Sequence, residues 1–261
     1  MRMLRVIDSL ESYIEGYRRK HHFELGEMYI TDTTVVFVIE GEHKKLFENG
    51  VNTIKNLEYD SDDMKKEMSR FLPSIVKTFE AENHSILILN KNPDLVRLRD
   101  LFDYFKGNLD PKHTAWILSS LYNLACYFNF IKLSHNDISL DTYFVSPEYH
   151  GGVLLGGWWY AVGFGKKMLG APSRTFNLLP LDVKNKKGGD SRVDLDLIRT
   201  VGRELSDSNS VPKPMADWLK WESKGNAIED YSTWKNEVIM ASFGGRFFTE
   251  MGVTAKQIYK T

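Results

Sequence analysis

One residue separates His135 from Asp137 in residues 133–145, a segment that otherwise carries mostly apolar and small polar side chains. Imidazole and carboxylate groups are the usual general acids and bases of enzymes, so this spacing could serve a proton transfer. The same residues also fit a polar turn that follows a strand, because Asn, Asp and Ser favour turns. The residues around the pair separate these two interpretations.

The segment resembles the catalytic loop of protein kinases, which reads His-Arg-Asp, then Leu-Lys-Pro-x-Asn, then an apolar strand. His135 and Asp137 match that pattern. Asn136 stands in place of its Arg, Ser139 lies near the place of its Lys, and Thr142 replaces its metal-binding Asn. The resemblance implies that Asp137 is the base that positions a substrate hydroxyl, while the groups that assist it are altered.

The likeness to protein kinases extends over roughly residues 23–205. Residues 89–93 correspond to the hinge behind the nucleotide, and the helix predicted over 111–130 leads into the loop. Asp194 begins a predicted helix and matches a kinase aspartate that binds the backbone of the catalytic loop. The alternative for Asp194 is an ordinary carboxylate at a helix start, where the helix dipole favours it.

Two departures from the kinase pattern affect phosphate and metal binding. The glycine-rich loop that covers ATP phosphates is replaced by residues 24–29, which hold one glycine and two carboxylates. Gly156-Gly157-Trp158 stands where kinases carry Asp-Phe-Gly, and no carboxylate occurs from Tyr149 to Phe176. Because Mg²⁺ binds charged or strongly polar oxygen atoms, we expect no metal site here. Trp158 then either fills the core or plugs the nucleotide cleft.

Four residues are candidate nucleotide contacts. Lys45 is favoured over Lys44 to point inward from the third strand, and Glu67 would face it from the interrupting helix. Both charges could equally be solvated, because surface ion pairs are common. Asn90 in the hinge and Thr142 in the loop complete the candidate set.

Hydrophobic periodicity places these residues on a segregated α+β plan. The predicted elements are a helix over 4–19, a strand over 23–31, a hairpin over 33–47, a helix over 62–71, strands near 75–80 and 85–90, a helix over 111–130, a short hairpin over 143–160, an irregular segment over 161–190 and helices beyond it. This order resembles that of the kinase fold. The resemblance implies a two-lobed protein-kinase-like fold, with a strand-rich N-lobe and N-terminal helix over 1–91 and a helical C-lobe over 92–261.

Composition narrows the class of protein. The 261 residues are 42% hydrophobic and 26% charged, which is typical of a globular protein, and the net charge of −1 favours neither nucleic acid nor a membrane surface. We expect no signal peptide and no membrane span. The one cysteine, Cys126, cannot form an internal disulfide, which fits a reducing, cytoplasmic compartment.

We therefore expect a pseudokinase-type module that acts through protein contacts, with no nucleic acid partner and no cofactor. The alternative is an atypical ATP-dependent phosphotransferase, acting on a protein or a small molecule, which would use Asp137 as base and require ATP and Mg²⁺. The absent carboxylate near residue 156 favours the first. Residues 243–248 hold three aromatics, two glycines and one Arg, and are predicted to be either core or a docking surface.

Overall fold

The structure is a computed structural model, and it describes residues 10–186, 188–206, 210–245 and 249–260. The strands are β1 (Arg19–Phe23), β2 (Gly26–Ile30), β3 (Thr34–Glu40), β4 (Ile75–Ala81), β5 (His84–Asn90), β6 (Val96–Arg97), β7 (Leu133–Ser134), β8 (Tyr143–Val145), β9 (Gly152–Leu154) and β10 (Val162–Gly163). Short 3₁₀ turns occupy Gly41–His43, Ser69–Phe71 and Trp158–Tyr160.

The α-helices are α1 (Lys44–Lys55), α2 (Asp62–Met68), α3 (Leu98–Tyr104), α4 (Pro111–Phe130), α5 (Ser173–Leu178), α6 (Leu181–Lys186), α7 (Ser191–Leu205), α8 (Lys213–Lys220), α9 (Ala227–Thr233), α10 (Ile239–Phe243) and α11 (Ala255–Ile258), with a π-helical turn at Trp234–Val238. Most strands precede α3 and most helices follow it, so the predicted α+β class is confirmed. No described helix is both long and apolar enough to cross a membrane.

The first five strands form one antiparallel sheet in the order β1-β2-β3-β5-β4. Successive side chains of a strand point to opposite faces. On β3, Val35, Phe37 and Ile39 join the main core, while Val36 and Val38 join a second cluster. Residues 10–14, which are helical, pack on that second cluster. The central strands are therefore apolar on both faces, because both faces are covered.

The predicted hairpin over 33–47 is wrong in its second half. The chain leaves β3, makes a 3₁₀ turn and enters α1, so Lys44 and Lys45 lie on a helix. Phe47, Val51 and Ile54 are buried at helical spacing along α1. That pattern extends over the whole helix and outweighs the short alternation behind the strand prediction.

The strand predicted over 23–31 corresponds to β2, which forms a hairpin with the preceding strand β1. Its turn falls at Glu24 and Leu25, and a Cβ atom at Gly26 would lie 2.1 Å from the carbonyl oxygen of Val38. Glycine therefore permits the close approach of β2 to β3. The helix predicted over 4–19 ends before β1, and its first six positions lie outside the described residues.

Several other predicted elements are confirmed. Ser61 caps α2, accepting a hydrogen bond from the N–H of Met64 at 3.2 Å. Asp110 caps α4, whose first residue is proline, as the sequence predicted. Strands β4 and β5 and the hairpin of β8 and β9 also lie where predicted, whereas the segment over 161–190 contains α5 and α6. Residues 246–248 of the predicted docking segment lie outside the described part of the chain.

Candidate functional site

Asp194 fixes the backbone of the loop that follows β7. It lies in the first turn of α7, is buried, and accepts hydrogen bonds from the backbone N–H groups of His135 (2.7 Å) and Asn136 (2.8 Å). Burial raises the pKa of Asp194 to about 7, although the two N–H groups lower it. The contact that the kinase resemblance implied for Asp194 is thus present.

Asn136 holds the loop in a left-handed backbone conformation, with φ of 65°. Asn tolerates this region better than most residues do. Its Nδ2 donates to the carbonyl oxygen of Tyr160 at 2.9 Å, and its Oδ1 accepts from Oγ of Ser134 at 2.8 Å. Where the kinase pattern has an Arg, this chain therefore has a buried residue that joins the loop to the 3₁₀ turn ending at Tyr160.

His135, a predicted catalytic residue, is packed as a structural residue. Its Nδ1 accepts the N–H of Asp137 at 3.3 Å, and its ring stacks on Phe128 and meets the edge of Trp158, with ring centroids 5.9 and 4.9 Å away. Burial lowers the pKa of His135 to about 3, so the imidazole is neutral at neutral pH. Among the described residues, its Nε2 has no hydrogen-bond partner and it does not line the cleft.

Asp137, the predicted base, is 5% exposed and lies at the bottom of a cleft. Its Oδ1 accepts a hydrogen bond from Nη2 of Arg174, at the start of α5. Nη1 of Arg174 also lies 3.6 Å from Oδ2 of Asp141. Burial raises the pKa of Asp137 to about 7, although the neighbouring guanidinium lowers it. The carboxylate is thus engaged by a side chain of its own protein.

Thr142, at the position of the metal-binding asparagine in the kinase pattern, closes the loop on itself. Its Oγ1 donates to the carbonyl oxygen of Asp137 at 2.7 Å and accepts the N–H of Ser139 at 3.0 Å. Thr142 is buried but still lines the cleft. Its hydroxyl oxygen is therefore a poor candidate for a metal ligand, because it already serves the loop.

Gly157, in the segment that replaces Asp-Phe-Gly, leaves no room for a side chain. Its φ is 83°, and a Cβ atom there would lie 2.7 Å from Cε1 of His135 and 2.8 Å from Cβ of Asp137. At Gly156 a Cβ atom would lie 3.2 Å from Cα of Thr142. Gly156, at the place of the kinase metal-binding aspartate, and Gly157 after it are therefore both closely packed.

Of the two adjacent tryptophans, Trp158 fills the core and Trp159 lines the cleft. Trp158 is fully buried and its Nε1 donates to the carbonyl oxygen of Leu154 at 2.9 Å. The ring of Trp159 packs beneath the sheet against Phe23 and Phe37, with ring centroids 6.2 and 5.1 Å away. The core-filling interpretation of Trp158 is confirmed, and the residue that narrows the cleft is its neighbour.

The cleft above Asp137 has a volume of about 250 Å³. Its lining residues are His21, His22, Phe23, Glu24, Met28, Phe37, Arg97, Asp137, Asp141, Thr142, Gly156, Gly157, Trp159, Tyr160, Pro172 and Arg174. Glu24 is held at its edge by the N–H of Ser173 (3.2 Å) and the hydroxyl of Tyr160 (3.3 Å). Since ligand pockets commonly measure about 300–1,000 Å³, the cleft is small for a nucleoside triphosphate.

The charges around Asp141 are already paired. Asp141 lies 3.2 Å from Arg97 and 3.4 Å from Arg99, besides its contact with Arg174. Arg97 in turn pairs with Asp100 at 2.7 Å. Asp141 is therefore not a spare carboxylate for a metal ion. In the described residues, three potential metal ligands converge at Glu40, Glu42 and His43, a partly exposed group that does not line this cleft.

Three of the predicted nucleotide contacts lie away from the cleft. Lys45 is exposed on α1, because the expected third strand ends before it. Glu67 is exposed on α2 and pairs with Arg70 at 2.8 Å instead of a lysine. Asn90, at the end of β5, is also exposed and does not line the cleft. Lys45, Glu67 and Asn90 are thus not brought together at the cleft, and Thr142 alone of the four lines it.

Sequence reasoning missed Arg174, Arg97 and the two histidines of β1 that line the cleft. Arg174 belongs to a segment without a periodic pattern, so only the packing of α5 on the loop reveals its role. The chain matches no protein-family model and no curated protein. The chemistry of the cleft therefore has to be inferred from its own geometry.

Proposed function

We propose that the protein is a kinase-like binding module, with an N-lobe over 1–91 and a C-lobe over 92–261, in which the loop aspartate has a structural role. Two features support the kinase-like assignment. The five-stranded sheet is interrupted by helices between β3 and β4, and a carboxylate on α7 holds the loop after β7. Loss of the phosphotransferase function is supported by the contents of the cleft.

One observation carries this proposal: the carboxylate of Asp137 is engaged by Arg174, and neither position expected to hold a metal can do so. Gly156, at the place of the kinase aspartate, has no carboxylate and its Cβ position lies 3.2 Å from Cα of Thr142, and the hydroxyl of Thr142 bonds the loop backbone. Glu24 adds a further negative charge to the cleft. An anionic nucleotide would thus meet three carboxylates, and two guanidinium groups already paired with carboxylates, without the divalent cation that normally neutralises its phosphates.

Thermal unfolding with ATP, in the presence and absence of Mg²⁺, tests the proposal. A ligand at 100 times its dissociation constant stabilises a protein by about 2.7 kcal/mol, which is easily seen as a rise in Tm. We expect a small rise at most, and no dependence on Mg²⁺. The Glu24→Gln variant is the matched control, because removing this carboxylate should increase any ATP-induced rise without making it depend on Mg²⁺.

A large rise in Tm that requires Mg²⁺ would favour the second candidate, an atypical ATP-dependent phosphotransferase. One observation favours that candidate: the pKa of Asp137 is raised to about 7. A general base works best when its pKa lies near the operating pH. Transfer of labelled phosphate from ATP by the wild-type protein, and its loss in Asp137→Asn, would establish the enzyme. We expect no transfer by either protein.

A further inference from the structure

Helices α5 and α6 form a two-helix segment, residues 173–186, whose inner side is fixed to the candidate site. Arg174 makes the ion pair with Asp137 described above. The next residue, Thr175, is fully buried and its Oγ1 donates to the carbonyl oxygen of Asn136 at 2.8 Å. Two adjacent residues therefore hold the start of α5 on the loop.

The solvent side of the same segment exposes large apolar side chains. Phe176 is 45% exposed, Leu178 is 37% exposed and Leu181 is 78% exposed. Single exposed hydrophobic residues are ordinary on protein surfaces. Three within six consecutive residues, on two helices joined by a two-residue link, concentrate exposed apolar side chains in one short segment, and concentrations of exposed apolar surface mark interaction sites.

Lysines lie on this segment and beside its end. Nζ of Lys184 lies 4.2 Å from the ring centroid of Phe176, and Lys186 follows on the same helix. Lys166 and Lys167 lie beside the end of α6, because residue 167 pairs with Gly188. The patch is therefore both apolar and basic.

Acidic side chains do not neutralise these lysines. In the described part of the chain, lysine pairs with a carboxylate at three places only, Lys20–Glu27, Lys44–Glu80 and Lys213–Asp217. The one acidic residue of α6, Asp182, is paired with Arg192 at 2.7 Å. Since the whole chain has a net charge of −1, the positive charge is a local property of this surface.

We propose that Phe176, Leu178, Leu181, Lys184 and Lys186 form a docking surface for an acidic partner peptide that carries apolar side chains. The proposal rests on the proposed function and names the chemistry of its partner. Apolar side chains of the peptide would cover the exposed patch, and its carboxylates would meet the lysines. Asp137 then acts as a positioning residue, because it holds Arg174 and hence α5.

Selection from a random peptide library on the full chain tests the docking surface. We expect the selected peptides to be rich in Asp and Glu together with Leu, Phe or Trp. A selected peptide is then synthesised and its Kd measured by fluorescence anisotropy. We expect Lys184→Glu combined with Lys186→Glu, and separately Leu181→Ser, to raise Kd by about tenfold or more, which is about 1.4 kcal/mol.

The matched controls lie on another exposed region of the chain. Lys220→Glu combined with Lys224→Glu repeats the charge reversal, and Ile228→Ser repeats the loss of an exposed aliphatic side chain, 63% exposed. Neither should change Kd. All altered residues are exposed or partly exposed, so we expect Tm to be unchanged; if Leu181→Ser unfolds the protein, the charge-reversal variant still tests the surface.

Several outcomes would overturn the docking surface. Selection of no peptide, selection of peptides without acidic residues, or equal Kd for the surface variants and their controls would each do so. Sedimentation of the wild-type protein as a dimer that Leu181→Ser dissociates would assign the patch to a second copy. Binding to phosphatidylserine vesicles that the lysine reversal abolishes would assign it to a membrane. A Tm rise that requires Mg²⁺-ATP would instead refute the proposed function. The peptide measurements would then still decide whether the docking surface exists.

Discussion

At the residue scale, Gly157 and Asp137 govern whether the cleft could return to metal chemistry. Gly157 lies against the side chains of both His135 and Asp137, and the neighbouring Gly156, at the place of the kinase aspartate, lies against Thr142. Asp137 is occupied by Arg174. If only a motif residue were missing, one substitution could restore the metal site. Because the site is also repacked through these contacts, one substitution cannot restore it.

Gly157→Asp should therefore destabilise the protein without creating a metal site. Gly165→Asp is the matched control, since Gly165 also has a positive φ, 71°, but nothing lies within 4 Å of its Cβ position. Both variants should lose about 1–2 kcal/mol from the left-handed backbone. Overpacking should cost Gly157→Asp about 1–3 kcal/mol more, measured by chemical denaturation. Equal stability of the two variants would show that the loop can open to admit a carboxylate.

The raised pKa of Asp137 predicts how stability depends on pH. Burial raises the pKa of Asp137 in the folded protein to about 7, above its value of 3.8 in the unfolded chain, so the folded protein binds this proton more tightly. The titration of Asp137 therefore makes the wild type lose stability as pH rises through this window, and Asp137→Asn lacks this contribution. We expect the Tm of the variant minus that of the wild type to increase from about pH 4 to about pH 7 and then stay level.

Asp182→Asn is the control for that pH series. The ion pair with Arg192 lowers the pKa of Asp182, so its contribution to stability is lost only below pH 3.8. Its Tm difference from the wild type should consequently be flat across the window in which Asp137→Asn changes. A flat profile for Asp137→Asn as well would show that the carboxylate of Asp137 is ionised throughout.

At the element scale, hydrophobic patterns and caps that lie within one stretch of chain are predictable from sequence. Contacts between elements are not. The buried stripe and the caps of α4 lie within one stretch of chain, so its ends were predicted. The first residues of α1, up to Phe47, are too few to distinguish a strand from a helix, and the packing of α1 on the turn at Trp158–Tyr160 leaves no local signal in the sequence. The same reason explains why Asp137 was identified as a site residue and Arg174, on the short helix α5, was not.

Gly50→Ala tests the packing of α1. In an isolated helix, this change would stabilise by about 1 kcal/mol, because glycine is a poor helix former. In this protein a Cβ atom at Gly50 would lie 2.9 Å from Cε3 of Trp159 and 3.1 Å from its backbone nitrogen. We therefore expect Tm to fall. Asn52→Ala, at an exposed position of the same helix, should leave Tm unchanged or raise it, and a rise for Gly50→Ala would contradict the contact.

At the scale of the whole molecule, one hydrophobic core joins the sheet to the helices. It contains Phe37 and Leu87 of the sheet as well as Leu121 of α4 and Leu197 of α7. Trp159 contacts Phe37 directly, and Asn49 of α1 donates through Nδ2 to the carbonyl oxygens of residues 159 and 161, both at 2.9 Å. The strand-rich and helical parts are therefore coupled through the walls of the cleft.

This coupling predicts a single cooperative unfolding transition. All six tryptophans lie between residues 116 and 234, so their fluorescence reports mainly on the helical part. Hydrogen exchange of the β3 and β5 amides reports on the sheet. Because the two parts share one core, both probes should give the same midpoint and the same free energy of unfolding in a urea series.

In Trp159→Ala, which removes the ring between the two parts and should cost about 3–5 kcal/mol, the two midpoints should fall together. If the sheet amides instead exchange at a lower denaturant concentration than the fluorescence transition, the sheet unfolds independently, and the cleft is then a boundary between separately stable units.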